Sequence, residues 1–166
     1  MTQHTNEYGL PIGFPVPDFK PKVADYAERV RTSFARQGIM GLIGAELGTV
    51  EPGFVEISLP WRKDLTQQHG YFHAGITSTI VDSAGGYAGY TLFPGNASVV
   101  TVEFKINLVA PAKGEVMIAR GRVVRPGRNL TICTGEVFVA TGGEETLCAM
   151  MQQTLMCLHD TPDNAA

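Results

Sequence analysis

Asp82 is the single formally charged side chain between Leu65 and Val102, set in the run Gly75-Ile-Thr-Ser-Thr-Ile-Val-Asp-Ser-Ala-Gly-Gly-Tyr-Ala-Gly-Tyr90. No Lys or Arg stands within a helical turn or two on either side to neutralise it. A carboxylate on an apolar segment is costly to bury unless something pairs it or uses it. Just upstream lies Gln67-Gln-His-Gly-Tyr-Phe-His-Ala-Gly75, which puts His73 about two and a half helical turns before the aspartate. A carboxylate in a small-residue helix, entered through His and Gly, reads as a reaction site. The residues alone leave an equal alternative, a structural carboxylate bonded to backbone or to hydroxyls such as Ser83 or Thr79. His73 has the same two readings, as a site residue or as a helix-capping histidine of the core.

The segment carrying Asp82 must be a helix, because Pro94-Gly95 ends it and its small residues suit close packing. The run from Ala74 to Phe93 is long enough to suggest a membrane span, but four glycines, Asp82 and several hydroxyls make it a packed core helix instead. Before it, Val23, Tyr26, Ala27, Val30 and Phe34 recur at helical spacing. Asp18 is expected as the cap, Gln37-Gly38 as the stop, and Lys22, Glu28, Arg29 and Arg31 on the wet side. Strands are expected from about Leu42 to Val50 and from Phe54 to Leu59, joined by Glu51-Pro-Gly53. After the apolar helix, Val100, Val102, Phe104, Ile106 and Leu108 alternate with Thr101, Glu103, Lys105 and Asn107, a strand with one buried face. Three further strands, 115–124, 130–140 and 146–158, follow through short turns, so the last four strands are expected to form an antiparallel meander.

A helix this apolar needs cover on all sides, which a strongly curved sheet of about six strands wrapped around it would supply. The expected architecture is therefore α+β: an extended Gly/Pro-rich arm over 1–17, one domain over 18–158 with an extra N-terminal helix, and a polar tail over 159–166.

At 166 residues the chain has the size of one domain, and a net charge of −3 argues against a generic nucleic-acid binder. A charged fraction of 17% is low, which points to surface hidden in an oligomer. Cys133, Cys148 and Cys157 sit in apolar strand-like runs without C-x-x-C spacing, so they read as reduced packing thiols of a cytoplasmic protein. The first residues are polar and no apolar signal region follows them. His69 and His73 stand four apart, but no Glu intervenes and the segment is a loop entering a helix, so no metal site is expected.

The pattern Gln67-x-x-Gly70-x-x-His73-Ala74-Gly75, then Asp82, Thr101-Val-Glu103 and Asn107-x-x-x-Pro111, resembles the hotdog-fold acyl-CoA thioesterases, specifically the phenylacetyl-CoA thioesterase-like branch. The resemblance covers roughly residues 40 to 158. It implies that Asp82 is the catalytic carboxylate, as base or nucleophile, and that the backbone N–H of Ala74 stabilises the oxyanion. It also implies that His73 holds that turn, that Gln67 orients water or substrate, that Gly75 and Thr101 bind the substrate, and that the Thr101 hydroxyl lies near the nucleophilic water. Two residues depart from the family pattern: Ala74 stands where it has Gly, and Gln67 where it has Asn. Ala keeps the N–H, and a helix start does not demand a positive φ. The implied chemistry is sound on its own terms, since thioester hydrolysis develops charge on the carbonyl oxygen and a helix N-terminus offers free N–H groups to it.

The implied substrate is an acyl-CoA, with no cofactor, no membrane and no nucleic acid involved, in a homodimer or homotetramer whose sites lie at the subunit boundary. The basic stretch Arg120-Gly-Arg-Val-Val-Arg125, with Arg128, has two even readings: a solvated strand end, or a clamp for the CoA phosphates centred on Arg125 and Arg128. Tyr71, Phe72, Tyr87, Tyr90 and Phe93 are candidates for an acyl pocket or for plain core. Two other functions fit the same elements: a hotdog hydratase or dehydratase, and a non-catalytic acyl-CoA-binding protein.

Overall fold

The computed structural model describes residues 18–163, so the arm expected over 1–17 and the last three residues of the tail lie outside the described residues. The elements run α1 (Tyr26–Arg36), α2 (Gly38–Ile43), β1 (Glu46–Glu51), β2 (Phe54–Pro60), a 3-10 turn (Lys63–Leu65), α3 (Ala74–Tyr90), β3 (Ser98–Leu108), β4 (Val116–Arg125), β5 (Leu130–Thr141) and β6 (Glu144–Leu158). All six strands join one antiparallel sheet in the order β1-β2-β4-β5-β6-β3, with α3 packed against it. No helix of the described residues is long and apolar enough to cross a membrane.

The sheet buries one face beneath α3. Val55, Ile57 and Leu59 of β2, Met117 and Ala119 of β4, and Cys133, Val137 and Val139 of β5 are buried at alternate positions, under Ile80, Val81, Ala84 and Ala88 of α3. Each fully buried Val, Leu or Ile contributes about 1.5–3 kcal/mol, so this interface is the main source of stability for the central helix. The helix lies very close to the sheet. A Cβ on Gly121 of β4 would stand 2.3 Å from the Ala84 carbonyl carbon and oxygen, so no other residue fits there without moving α3.

Three expectations are corrected. Helix α1 begins at Tyr26 rather than after Asp18, because Pro21 keeps its predecessor out of the helical region and residues 22–25 form a turn. Arg29 is not on its wet side: its guanidinium donates to the carbonyls of Phe93, Pro94 and Ala97 at 3.1–3.4 Å and lies over the Tyr90 ring. Where a strand was expected from Leu42, a second short helix intervenes, since Met40 and Ile43 bury one turn apart and Gly44 ends it at φ 76°.

The larger correction is topological. Strands β4, β5 and β6 form a meander, but β3 does not precede β4 in the sheet; it pairs with β6 at the far edge. The expected buried face of β3 is also open: Val100, Val102, Phe104 and Leu108 are 42–55% exposed, and only Ile106 packs on the core. An edge strand of 11 residues with unpaired backbone groups and this apolar surface is a template for pairing with another chain.

Candidate active site

Two clefts flank β3, one toward each end. The first, of about 280 Å³, contains Asp82 and is bordered by Thr101 and Val99 of β3, by Ser33 and Arg36 of α1 and the following Gln37, and by Tyr87. The second, of about 440 Å³, contains Gln67 and Ala74 beside Leu108, Val109 and Cys148. The structure thus divides the residues that the sequence singled out. Asp82 and Thr101 come together, Gln67 and Ala74 come together, and eight helical residues, about 12 Å, separate Ala74 from Asp82 on α3.

Asp82 is half-buried and held on one side only. Its Oδ1 accepts from the Thr101 hydroxyl at 2.8 Å and from the side-chain amide of Gln153, which also donates to the Asp82 carbonyl at 3.0 Å and to Thr101 Oγ1 at 3.1 Å. Oδ2 has no hydrogen-bond partner among the described residues, and the one buried side-chain polar atom left unpaired there is Gln153 Oε1. The carboxylate is therefore oriented through one oxygen, and the residue lines the cleft with its other oxygen free of those donors. Neither Ser83 nor Thr79 bonds to the carboxylate, since Ser83 donates to Gln37 Oε1 at 3.3 Å and Thr79 to the Gly75 carbonyl at 2.8 Å; the hydroxyl that does is that of Thr101.

Gln153 was not anticipated, although β6 carries its signal. Met151, Leu155 and Cys157 share its inward face, and Gln153, wholly buried, is the polar interruption of that row. Gly85 makes room for it: a Cβ there would stand 2.1 Å from Gln153 Oε1.

At the other cleft, His73 is the N-cap of α3. Its Nδ1 accepts from the Gly75 N–H at 2.9 Å, while its carbonyl accepts from Thr77 at 3.1 Å. The Ala74 N–H, exposed at the first helical position, has no partner among the described residues. Gln67 Oε1 accepts from the His69 N–H and Gln67 N–H donates to the Tyr71 carbonyl, so this side chain braces its own loop and leaves its amide NH₂ to the cleft.

The arginines divide as well. Arg120 is spent on Glu56 at 2.8 Å and on both oxygens of Glu145 at 2.6 and 2.7 Å, which raises its already high pKa, and Arg122 stacks over Phe54. Arg125 and Arg128 are exposed and make no side-chain hydrogen bond or ion pair among the described residues. Their turn lies toward the C-terminal end of α3: Val123 N–H donates to the Gly53 carbonyl, and Gly53 N–H donates to the Thr91 hydroxyl. It is thus remote from the Ala74 of its own chain.

Tyr87 reaches the Asp82 cleft, where burial pushes its phenol up to about 12 and Ser33 Oγ lies 3.2 Å from its oxygen. Tyr71 and Phe72 border the second cleft, while Tyr90 and Phe93 are core residues stacked edge-on. The three cysteines are unpaired and buried, and burial pushes the Cys133 thiol up to about 12 and the Cys148 thiol to about 11, so neither offers a thiolate near neutral pH.

A curved six-stranded sheet around one long helix, with an oriented carboxylate on that helix and open amides at its start, defines a hotdog-fold thioester hydrolase. Comparison with known proteins agrees. The family model described as "Thioesterase superfamily" matches residues 69–146. A solved thioesterase family protein from Silicibacter pomeroyi is 50% identical, covering 81% of this chain and 98% of that one, with a TM-score of 0.80. A relative from Saccharolobus solfataricus named "Putative esterase" is 30% identical over 76% of this chain and 81% of its own length. The E. coli PaaI protein from the phenylacetic acid degradation operon shares the fold at 14% identity, with a TM-score of 0.74 over 83% of this chain and 96% of that one. The chain belongs to the thioesterase superfamily.

Proposed function

We propose that the protein hydrolyses acyl-CoA thioesters to the free acid and CoA, with Asp82 as general base and the start of α3 as the oxyanion site. The observation that carries this reading is the one-sided hold on Asp82. Thr101 and Gln153 fix Oδ1, and Oδ2 is left to face a water. In the proposed step Oδ2 takes a proton from that water as its oxygen attacks the thioester carbon. The carbonyl oxygen becomes an oxyanion accepting the Ala74 N–H; collapse expels the CoA thiolate, which takes the proton back from Asp82. The carboxylate is regenerated, and one water has been consumed.

A base, a water and a carbonyl in line span about 6 Å at hydrogen-bond and contact distances, half of the roughly 12 Å between Asp82 and Ala74 in one chain. Two copies resolve the mismatch. The Asp82 cleft borders the start of β3 and the Ala74 cleft lies past its end. Antiparallel pairing of β3 with its own copy, about a two-fold axis near Phe104, would set the Asp82 cleft of one protomer against the helix start of the other. It would also cover the exposed apolar residues of β3. On this reading each site is shared, and Arg125 and Arg128 are surface cations that can take the CoA phosphates.

Hydrolysis is favoured over the hydratase reading because His73 Nδ1 is committed to the helix cap and, among the described residues, no histidine bonds to Asp82. The test is release of free thiol from a panel of acyl-CoA esters, with Asp82→Asn as control. Turnover of at least one ester, lost in that variant, supports the assignment; a panel with no hydrolysis above background refutes it.

A further inference from the structure

Asp82 does not stand alone in its cleft. Ser33 and Arg36 on α1, with Gln37 just after it, face Ser83, Gly86 and Tyr87 on α3, so the wall beyond the carboxylate is polar, with Val99 its main aliphatic residue. Among the described residues the floor is open at Gly86: although the residue is buried, a Cβ built on it would meet none of their atoms within 4 Å. At the far side Arg36 is already engaged by a carboxylate, for its Nη2 donates to Asp163 Oδ2 at 2.7 Å and to the Asp163 carbonyl at 2.6 Å. Asp163 thereby lines the cleft.

We infer, on the strength of the acyl-CoA reading above, that this cleft is the acyl pocket and that it selects acyl groups ending in a carboxylate, with Asp163 occupying the substrate's anionic subsite in the free enzyme. A plain aliphatic chain laid over Gly86 would press hydrocarbon against the Arg36–Asp163 ion pair, and taking a charged pair out of water without a new partner is costly. A second carboxylate takes the Arg36 donors in the geometry that Asp163 now uses. From Asp82 to Gly86 is one helical turn, about 6 Å, so the acyl chain between thioester and carboxylate is short. The side chains of Arg36 and Asp163 are 34% and 30% exposed, so the pair is weakened by solvent and an incoming anion can displace it. Tyr87, uncharged at neutral pH, adds no competing negative charge beside the incoming group.

The probes are glutaryl-CoA and its counterpart of equal chain length without the terminal carboxylate, valeryl-CoA, compared by thiol release, together with calorimetric binding of free glutarate and of neutral valeramide. The wild-type enzyme is expected to favour glutaryl-CoA in kcat/KM by at least about tenfold, as for one charge-assisted contact. Arg36→Met should bring that ratio down to about unity, chiefly through the KM for glutaryl-CoA. Asp163→Asn should lower that KM severalfold, because the internal competitor is gone. A wild-type ratio near one, or a preference that survives Arg36→Met, overturns the proposal, as does a better turnover of neutral hydroxyaryl esters. Should neither ester be hydrolysed, the calorimetry decides. Glutarate binding that Arg36→Met abolishes keeps the anionic pocket and discards the acyl-CoA reading; no selective glutarate binding discards the pocket as well.

Discussion

Replacing Ala74 with proline removes one proposed oxyanion donor while sparing almost everything else. Ala74 is the first residue of α3, where proline is well accommodated because that N–H has no helical partner to lose. The residue before a proline must be extended, and His73 already is, at φ −66° and ψ 139°. Its cap on Gly75 N–H is untouched, so stability should change by no more than about 1 kcal/mol. Removing one oxyanion donor costs about 2.7–4 kcal/mol of transition-state stabilisation, so kcat should fall about a hundred- to a thousandfold with Tm nearly constant. The same variant tests whether the site is shared. An equimolar, re-equilibrated mixture of Ala74→Pro and Asp82→Asn chains has half of its dimers mixed. Each mixed dimer has one site with both defects and one with neither, so about a quarter of wild-type activity returns. Activity that stays at the sum of the two residual rates refutes the shared site, and wild-type turnover by Ala74→Pro refutes the oxyanion assignment.

Asp82→Asn keeps acceptors for Thr101 and Gln153 and should fold normally, yet lower kcat by at least about a hundredfold, the lower end for general-base catalysis. Gln153→Leu removes an orienting donor but also the buried unpaired Oε1. Its two stability effects, each about 1–3 kcal/mol, oppose one another, so thermal unfolding should move little while kcat drops; a large fall in Tm with normal kcat per folded molecule would make Gln153 structural only. Arg125→Ala with Arg128→Ala should raise KM for acyl-CoA, more at low salt, and leave a short acyl-pantetheine ester unaffected; equal KM values would reduce the turn to a solvated hairpin. Sedimentation at micromolar concentration should show a dimer or larger, and Val102→Glu on the open edge should shift it toward monomer with loss of activity.

Local patterning made most elements legible. The two-residue alternation in 54–59 and 115–158 gave the strands, and the small-residue run ending at Pro94-Gly95 gave α3. What failed was non-local. Alternation in β3 says that one face is apolar but not that the strand lies at the sheet edge, since the partner that would bury Val100, Val102 and Phe104 need not belong to the same chain. The short helix α2 was lost for the opposite reason. Its six residues are too few to show a helical period, and its existence rests on the burial of Met40 and Ile43 and on the left-handed Gly44.

The site divides along the same line. Asp82 and the His73-Ala74-Gly75 entry are contiguous in one helix and visible as chemistry out of place in an apolar run. Gln153 is seventy-one residues from Asp82. Only the pleat of β6 and the closeness of α3 bring the two side chains together. That closeness is set by glycines: Gly121 admits the helix backbone, and Gly85 admits the Gln153 amide with its oxygen unsatisfied. A buried amide oxygen without a partner costs about 1–3 kcal/mol, and a leucine in its place would remove that cost. The glutamine therefore fits poorly with an account in which Asp82 is merely tolerated in the core, and well with one in which the carboxylate must point a single oxygen at a water.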